Sequence, residues 1–100
     1  MKLGILVNTE SHMDDVIGTA KAAVARGHAV NIFTMDTGTR LFRNPEYAEL
    51  CKLDGVKMSF CDHNAKMFNE KAEGITDAIM CGSQYDNAAM HHECDKVIVL

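Results

Sequence analysis

One hundred residues at 11.0 kDa make one domain, 1–100, and 47% hydrophobic residues supply the material for its core. With 24% charged residues and a net charge of −4, neither a disordered chain nor a partner of nucleic acid or anionic membrane is expected, since those surfaces repel an acidic domain. Four cysteines (Cys51, Cys61, Cys81, Cys94) without a C-x-x-C pair exclude a zinc ribbon and fall below the density of a disulfide-stapled secreted domain.

Leu3–Val7 is a continuous apolar run, the pattern of a strand buried on both faces. It is too short for a signal-peptide core, and no run reaches the roughly 20 apolar residues of a membrane span. Ser11, with Asp14 three residues on, predicts a helix cap. Met13, Val16, Ile17, Ala20, Ala23 and Val24 then recur at helical spacing until Gly27. His28–Thr34 predicts a second strand and Met35–Arg43 a loop. Asn44 followed by Pro45 opens a helix to Leu53, with Gly55 behind it. Val56–Phe60 predicts a third strand, and Asp62 caps a helix over His63–Lys71. A fourth strand covers Ala78–Cys81, Ser83 and Asp86 cap a helix to Glu93, and Lys96–Leu100 forms a fifth strand.

Strands alternating with helices imply an α/β fold: a doubly wound, three-layer, flavodoxin-like domain with a five-stranded, mainly parallel sheet. The commonest order for that count is 2-1-3-4-5. It places the switch point between strands one and three, in a crevice lined by Asn8, Thr9, Ser11 and His12 on one side and Cys61, Asp62 and His63 on the other. The chain contains no G-x-G-x-x-G and no Walker A sequence. Glu10, Asp14 and Asp15 crowd the first turn with negative charge, which speaks against a phosphate or FMN there.

Cys61 is the candidate nucleophile. It ends a strand and precedes a helix whose first N–H groups lack partners, a setting that favours thiolate over thiol. The alternative is a small hydrophobe filling a strand end. Cys81 has similar placement and is the candidate resolving thiol or acceptor for Cys61, with buried strand filler as its alternative; His63 is placed to tune the thiol or relay a proton, with a solvated first-turn histidine as the alternative. Cys51 and Cys94 read as packing residues. The Cys61-x-His63 spacing does not match structural zinc, so no metal site is expected.

The strand Gly55–Cys61, the segment Asp62–Lys66, the closing Cys94–Leu100, the opening Leu3–Val7 and the turn Ala25–Val30 together resemble the DsrE/DsrF/TusD-like family of small α/β proteins. The resemblance spans nearly the whole chain. It implies a flavodoxin-like fold, a homo-oligomer from dimer to hexamer, and, as in sulfur-relay members, a persulfide carried on the cysteine that matches Cys61. Cys81 has no counterpart in that motif. The expectation is a cytoplasmic sulfur carrier that exchanges sulfur with donor and acceptor proteins and needs no cofactor. A non-catalytic oligomeric binding or regulatory module is the alternative, and a peroxiredoxin-like thiol protein the third.

Overall fold

The computed structural model describes residues 1–68 and 78–100. Five strands form one parallel sheet: β1 (Lys2–Val7), β2 (Ala29–Thr34), β3 (Val56–Cys61), β4 (Met80–Gly82) and β5 (Lys96–Val99). The helices are α1 (Met13–Ala25), α2 (Pro45–Ala48), α3 (Asp62–Met67) and α4 (Gln84–Glu93). Shorter 3₁₀ segments occupy Glu10–His12, Asp36–Arg43 and Glu49–Lys52. Among the described residues no helix is long and apolar enough to cross a membrane.

The expected α/β class and parallel sheet hold, but the strand order is β4-β3-β2-β1-β5, not 2-1-3-4-5. The first three crossovers each step to the neighbouring strand in one direction. Right-handed connections that keep their direction leave their helices on one face. Only the connection from β4 to β5 runs back across the sheet, and it carries α4 to the opposite face. β2 therefore separates β1 from β3. The switch point moves to β3 and β4, adjacent strands whose following helices, α3 and α4, diverge to opposite faces.

The pleat sorts side chains accordingly. Ile5, Val7, Val30, Ile32, Met58 and Phe60 point into the main core with Val16 and Ala20 of α1, Tyr47 of α2 and Ala65 of α3. Phe42 meets Tyr47 and Phe60 edge to face, at 5.3 and 5.6 Å between ring centroids. On the second face Phe33, Cys61 and Met90 form a smaller cluster fringed by Leu6, Met35, Cys94 and Val97.

Several caps follow the sequence. Asn44 accepts a hydrogen bond from Glu46 N–H, and Ser83 and Asp86 make a reciprocal capping box at α4. Gly27 and Gly55 end their turns at φ of 83° and 91°, where a Cβ would be strained. Ser11 does not cap α1. Its N–H is instead held by the Thr9 hydroxyl at the head of the 3₁₀ turn Glu10–His12, and α1 starts two residues later. The stretch expected as a loop, Met35–Arg43, is 3₁₀ over Asp36–Arg43, with Gly38, Thr39, Leu41 and Phe42 buried and drawing the chain onto the core. The Asp62 cap is displaced by one: Cys61 occupies the capping position and Asp62 is the first helical residue. The fourth strand starts at Met80, two residues later than expected. Residues 69–71 of the helix expected to reach Lys71 lie outside the described residues.

Candidate functional site at the β3–β4 switch point

A pocket of about 630 Å³ opens at the carboxyl ends of β2, β3 and β4. That volume is in the range of small-molecule sites. The β3–α3 turn contributes Cys61, Asp62, His63 and Asn64, the β4–α4 turn contributes Gly82, Ser83 and Gln84, and Met35 closes the side next to β2. Two contacts hold this wall. The backbone N–H of Asp36 donates to Asn64 Oδ1 at 3.0 Å, and Gln84 Nε2 lies 3.7 Å from Met35 Sδ. Asp36 takes a positive φ of 52° to make its turn, a conformation that aspartate tolerates better than most side chains.

Cys61 lines this pocket and is only 4% exposed, its side chain packed with Phe33 and Met90. The residue thus has both features weighed in the sequence: an apolar setting, and a place at the head of a helix. His63 is exposed on the rim.

Cys81 is exposed, but it does not share a face with Cys61. Phe60 pairs with Cys81 and Cys61 with Gly82, so the pleat sends the two thiols to opposite sides of the sheet. Cβ vectors that diverge in this way cannot be bridged without moving the backbone. This register gives no support to the expected pairing of Cys61 with Cys81 as nucleophile and resolving thiol. Cys81 belongs to a separate group on the α3 side, near the Asp62 carboxylate, which is bound by Lys66 Nζ at 3.0 Å. Desolvation, and then the neighbouring Asp62 carboxylate, push the Cys81 thiol above its usual range. The Lys66 ammonium, chiefly, holds the Asp62 carboxyl below its own.

The remaining crevice residues are not brought to this pocket. Asn8, Thr9, Ser11 and His12 follow β1, with β2 and the segment Asp36–Arg43 between them and Cys61. There Glu10 pairs with Arg40 at 3.1 Å, and the Arg40 guanidinium stacks on Phe68 at 4.9 Å. Cys51 is half-buried against the main core. Cys94 is half-buried beside the Phe33 cluster, with its thiol raised by desolvation first. Among the described residues no three of His, Cys, Asp and Glu converge on a possible metal position. Met35 and Gln84 were not among the residues expected at the site. The signal that could have found them is the order of the strands, since β2 adjoins β3 only in the order observed.

No protein-family model and no curated protein matches the sequence. Solved structures that share its fold include the following three. BT1422, a conserved protein of unknown function from Bacteroides thetaiotaomicron, superposes with a TM-score of 0.80 at 20% identity, covering 99% of this chain and 94% of that one. MTH1491, a protein of unknown function from Methanobacterium thermoautotrophicum, gives 0.78 at 14% identity, with coverage of 99% and 98%. The ychN protein of E. coli gives 0.73 at 11% identity, with coverage of 99% and 97%. At these identities the likeness is one of fold, and it extends over essentially the whole length of all four chains.

Proposed function

We propose that this chain is a sulfur-carrier protein of the DsrE/DsrF/TusD type, working in the cytoplasm, with Cys61 as its carrier thiol. The observation that supports the reading is positional. Of the four cysteines, Cys61 alone lines the pocket at the switch point, directly before the first turn of α3. Helix-start N–H groups without intrahelical acceptors favour an anionic sulfur, whether thiolate or persulfide.

The transfer is thiol exchange and needs no external oxidant. The Cys61 thiolate attacks the outer sulfur of a donor persulfide, R–S–SH. A new S–S bond forms on Cys61 as the donor's S–S bond breaks, and the donor leaves as R–S⁻ while the transferred sulfur keeps its proton. An acceptor thiolate then attacks the outer sulfur of Cys61–S–SH, taking the SH group and returning Cys61 as thiolate. Cys81 has no part in this cycle, and His63, on the pocket rim, is assigned the proton exchange with the incoming or leaving thiol.

The test is mass spectrometry after incubation with cysteine persulfide. The Cys61 peptide should gain about 32 Da per added sulfur, lose it on reduction with dithiothreitol, and gain none in Cys61→Ser. Loading spread over all four cysteines, or retained in Cys61→Ser, would defeat the assignment. A second reading, an oligomeric binding module in which Cys61 only packs, draws on its 4% exposure, and that result would favour it.

A further inference from the structure

Cys61 lines a pocket yet is only 4% exposed, and the strand order shows what covers it. β3 runs between β2 and β4. Thr34 pairs with Phe60 and Gly82 with Cys61, so Met35, one residue beyond β2, falls level with Cys61 on one side and Gly82 on the other. β2 and β4 are about 10 Å apart here, two strand spacings. Met35 Sδ and Gln84 Nε2 nevertheless lie only 3.7 Å from each other. The two side chains therefore reach across the end of β3 from opposite sides and meet over Cys61. Deeper in the domain Phe33 and Met90 pack against the same cysteine, so its way to solvent passes this pair.

Gln84 is held in that posture. Its Oε1 accepts from Asn87 Nδ2 at 3.2 Å, which turns the carboxamide N–H toward the Met35 sulfur. The other polar atom of that asparagine, Oδ1, is buried with no hydrogen-bond partner among the described residues. A buried amide oxygen left unpaired is costly, so Asn87 is explained by its hold on Gln84 and not by a contribution to stability.

We propose that Met35 and Gln84 select the sulfur donor by size: a low-molecular-weight alkyl persulfide passes to Cys61, and a persulfide on the surface of a folded protein does not. This rests on Cys61 being the carrier thiol. An N–H···S contact is weak and both side chains are unbranched, so rotamer changes open the pair briefly and make it a filter, not a seal. A pocket of about 630 Å³ admits a small thiol compound, while the cysteine beneath the pair is out of reach of a convex protein surface. The donor is then a small molecule where the family resemblance implies a protein.

Two alkylating reagents of one chemistry, iodoacetamide and the bulky iodoacetamidofluorescein, read the filter. Their rate ratio at a given thiol cancels its thiolate fraction, and exposed Cys81 in the same chain is the internal standard. Peptide mapping of the wild-type chain should show the bulky reagent disfavoured at Cys61 about tenfold more than at Cys81. Gln84→Ala, at an exposed first-turn position that alanine suits, should bring the Cys61 ratio to within about threefold of that at Cys81. Met35→Ala should do the same, and the double variant should go no further, since either truncation breaks the one contact. In parallel, cysteine persulfide should load Cys61 of the wild-type chain and persulfidated serum albumin should not. Equal size discrimination at Cys61 and Cys81, an unchanged ratio in Gln84→Ala, or loading from albumin as fast as from cysteine persulfide would each overturn the filter. A Cys61 that discriminates by size but takes sulfur from neither donor would leave the filter standing and remove the carrier assignment.

Discussion

On the main-core side of β2 lies a buried hydrogen bond whose worth can be measured. Thr34 ends β2 immediately before Met35, and its hydroxyl lies 2.7 Å from the Tyr47 phenol; both residues are 0% exposed. Tyr47→Phe leaves the Thr34 hydroxyl buried and without its partner, and Thr34→Val does the same to the phenol. Each single change should therefore cost the desolvation of an unpaired polar group, about 1–3 kcal/mol. The double variant removes both polar groups and escapes that penalty, so it should lose no more than either single one, a coupling of about 1–2 kcal/mol. In a domain this size 1 kcal/mol moves Tm by roughly 4–8 °C, which puts the single variants about 5–20 °C below the wild-type chain. Urea unfolding followed by circular dichroism, with constant m-values, gives all four stabilities. If the single losses add in the double variant, or each stays under about 0.5 kcal/mol, the two groups are not coupled as a buried pair.

Burial also pushes the Tyr47 phenol well above its free value of 10.0, so above that pH the unfolded chain ionises where the folded one does not. Stability should be complete below pH 10 and fall beyond it by up to about 1.4 kcal/mol per unit; alkaline unfolding curves that are identical in Tyr47→Phe would contradict this. Asp62→Asn removes a charge that helps keep Cys81 protonated, so Cys81 should be alkylated faster by iodoacetamide near pH 8, and peptide mapping that finds no acceleration would refute the influence of Asp62 on this thiol. Gly82→Ala would drive a Cβ into the Asp86 carboxylate that accepts the Ser83 N–H at 2.8 Å. It should cost about 1–2 kcal/mol through the lost cap, and an unchanged Tm would count against that contact.

The sequence made local structure legible because local structure has local causes. Asn44 before Pro45, Gly27, Gly55 and the Ser83–Asp86 pair each act within one turn of chain, and each behaves in the fold as its chemistry requires. The strand order has no such cause. Leu3–Val7 is equally apolar whether its neighbours are β2 and β3 or β2 and β5, and only the return of the chain from β4 across the whole sheet decides between them. That single crossover moved the crevice from Asn8–His12 to Gly82–Gln84. Ser11 shows the same limit on a smaller scale: its side chain suits a cap, but Thr9 two residues earlier holds its N–H and starts a 3₁₀ turn first.

The relation between Cys61 and Cys81 turns on parity, which a three-residue strand does not reveal in sequence. A slip of one residue in the pairing of β4 would set Cys81 opposite Cys61 on one face, within reach of a disulfide. The observed register sets Gly82 there instead. The reason lies in α4. Its first turn folds back over the end of β4, and the Asp86 carboxylate that completes the Ser83 cap occupies the space a Cβ at position 82 would need. Only glycine fits beneath it. With Gly82 held on the α4 face, the alternation of the strand sends Cys81 to the α3 face, near Asp62. The capping box that starts α4 therefore also separates the two thiols, leaving Cys61 as the cysteine at the pocket.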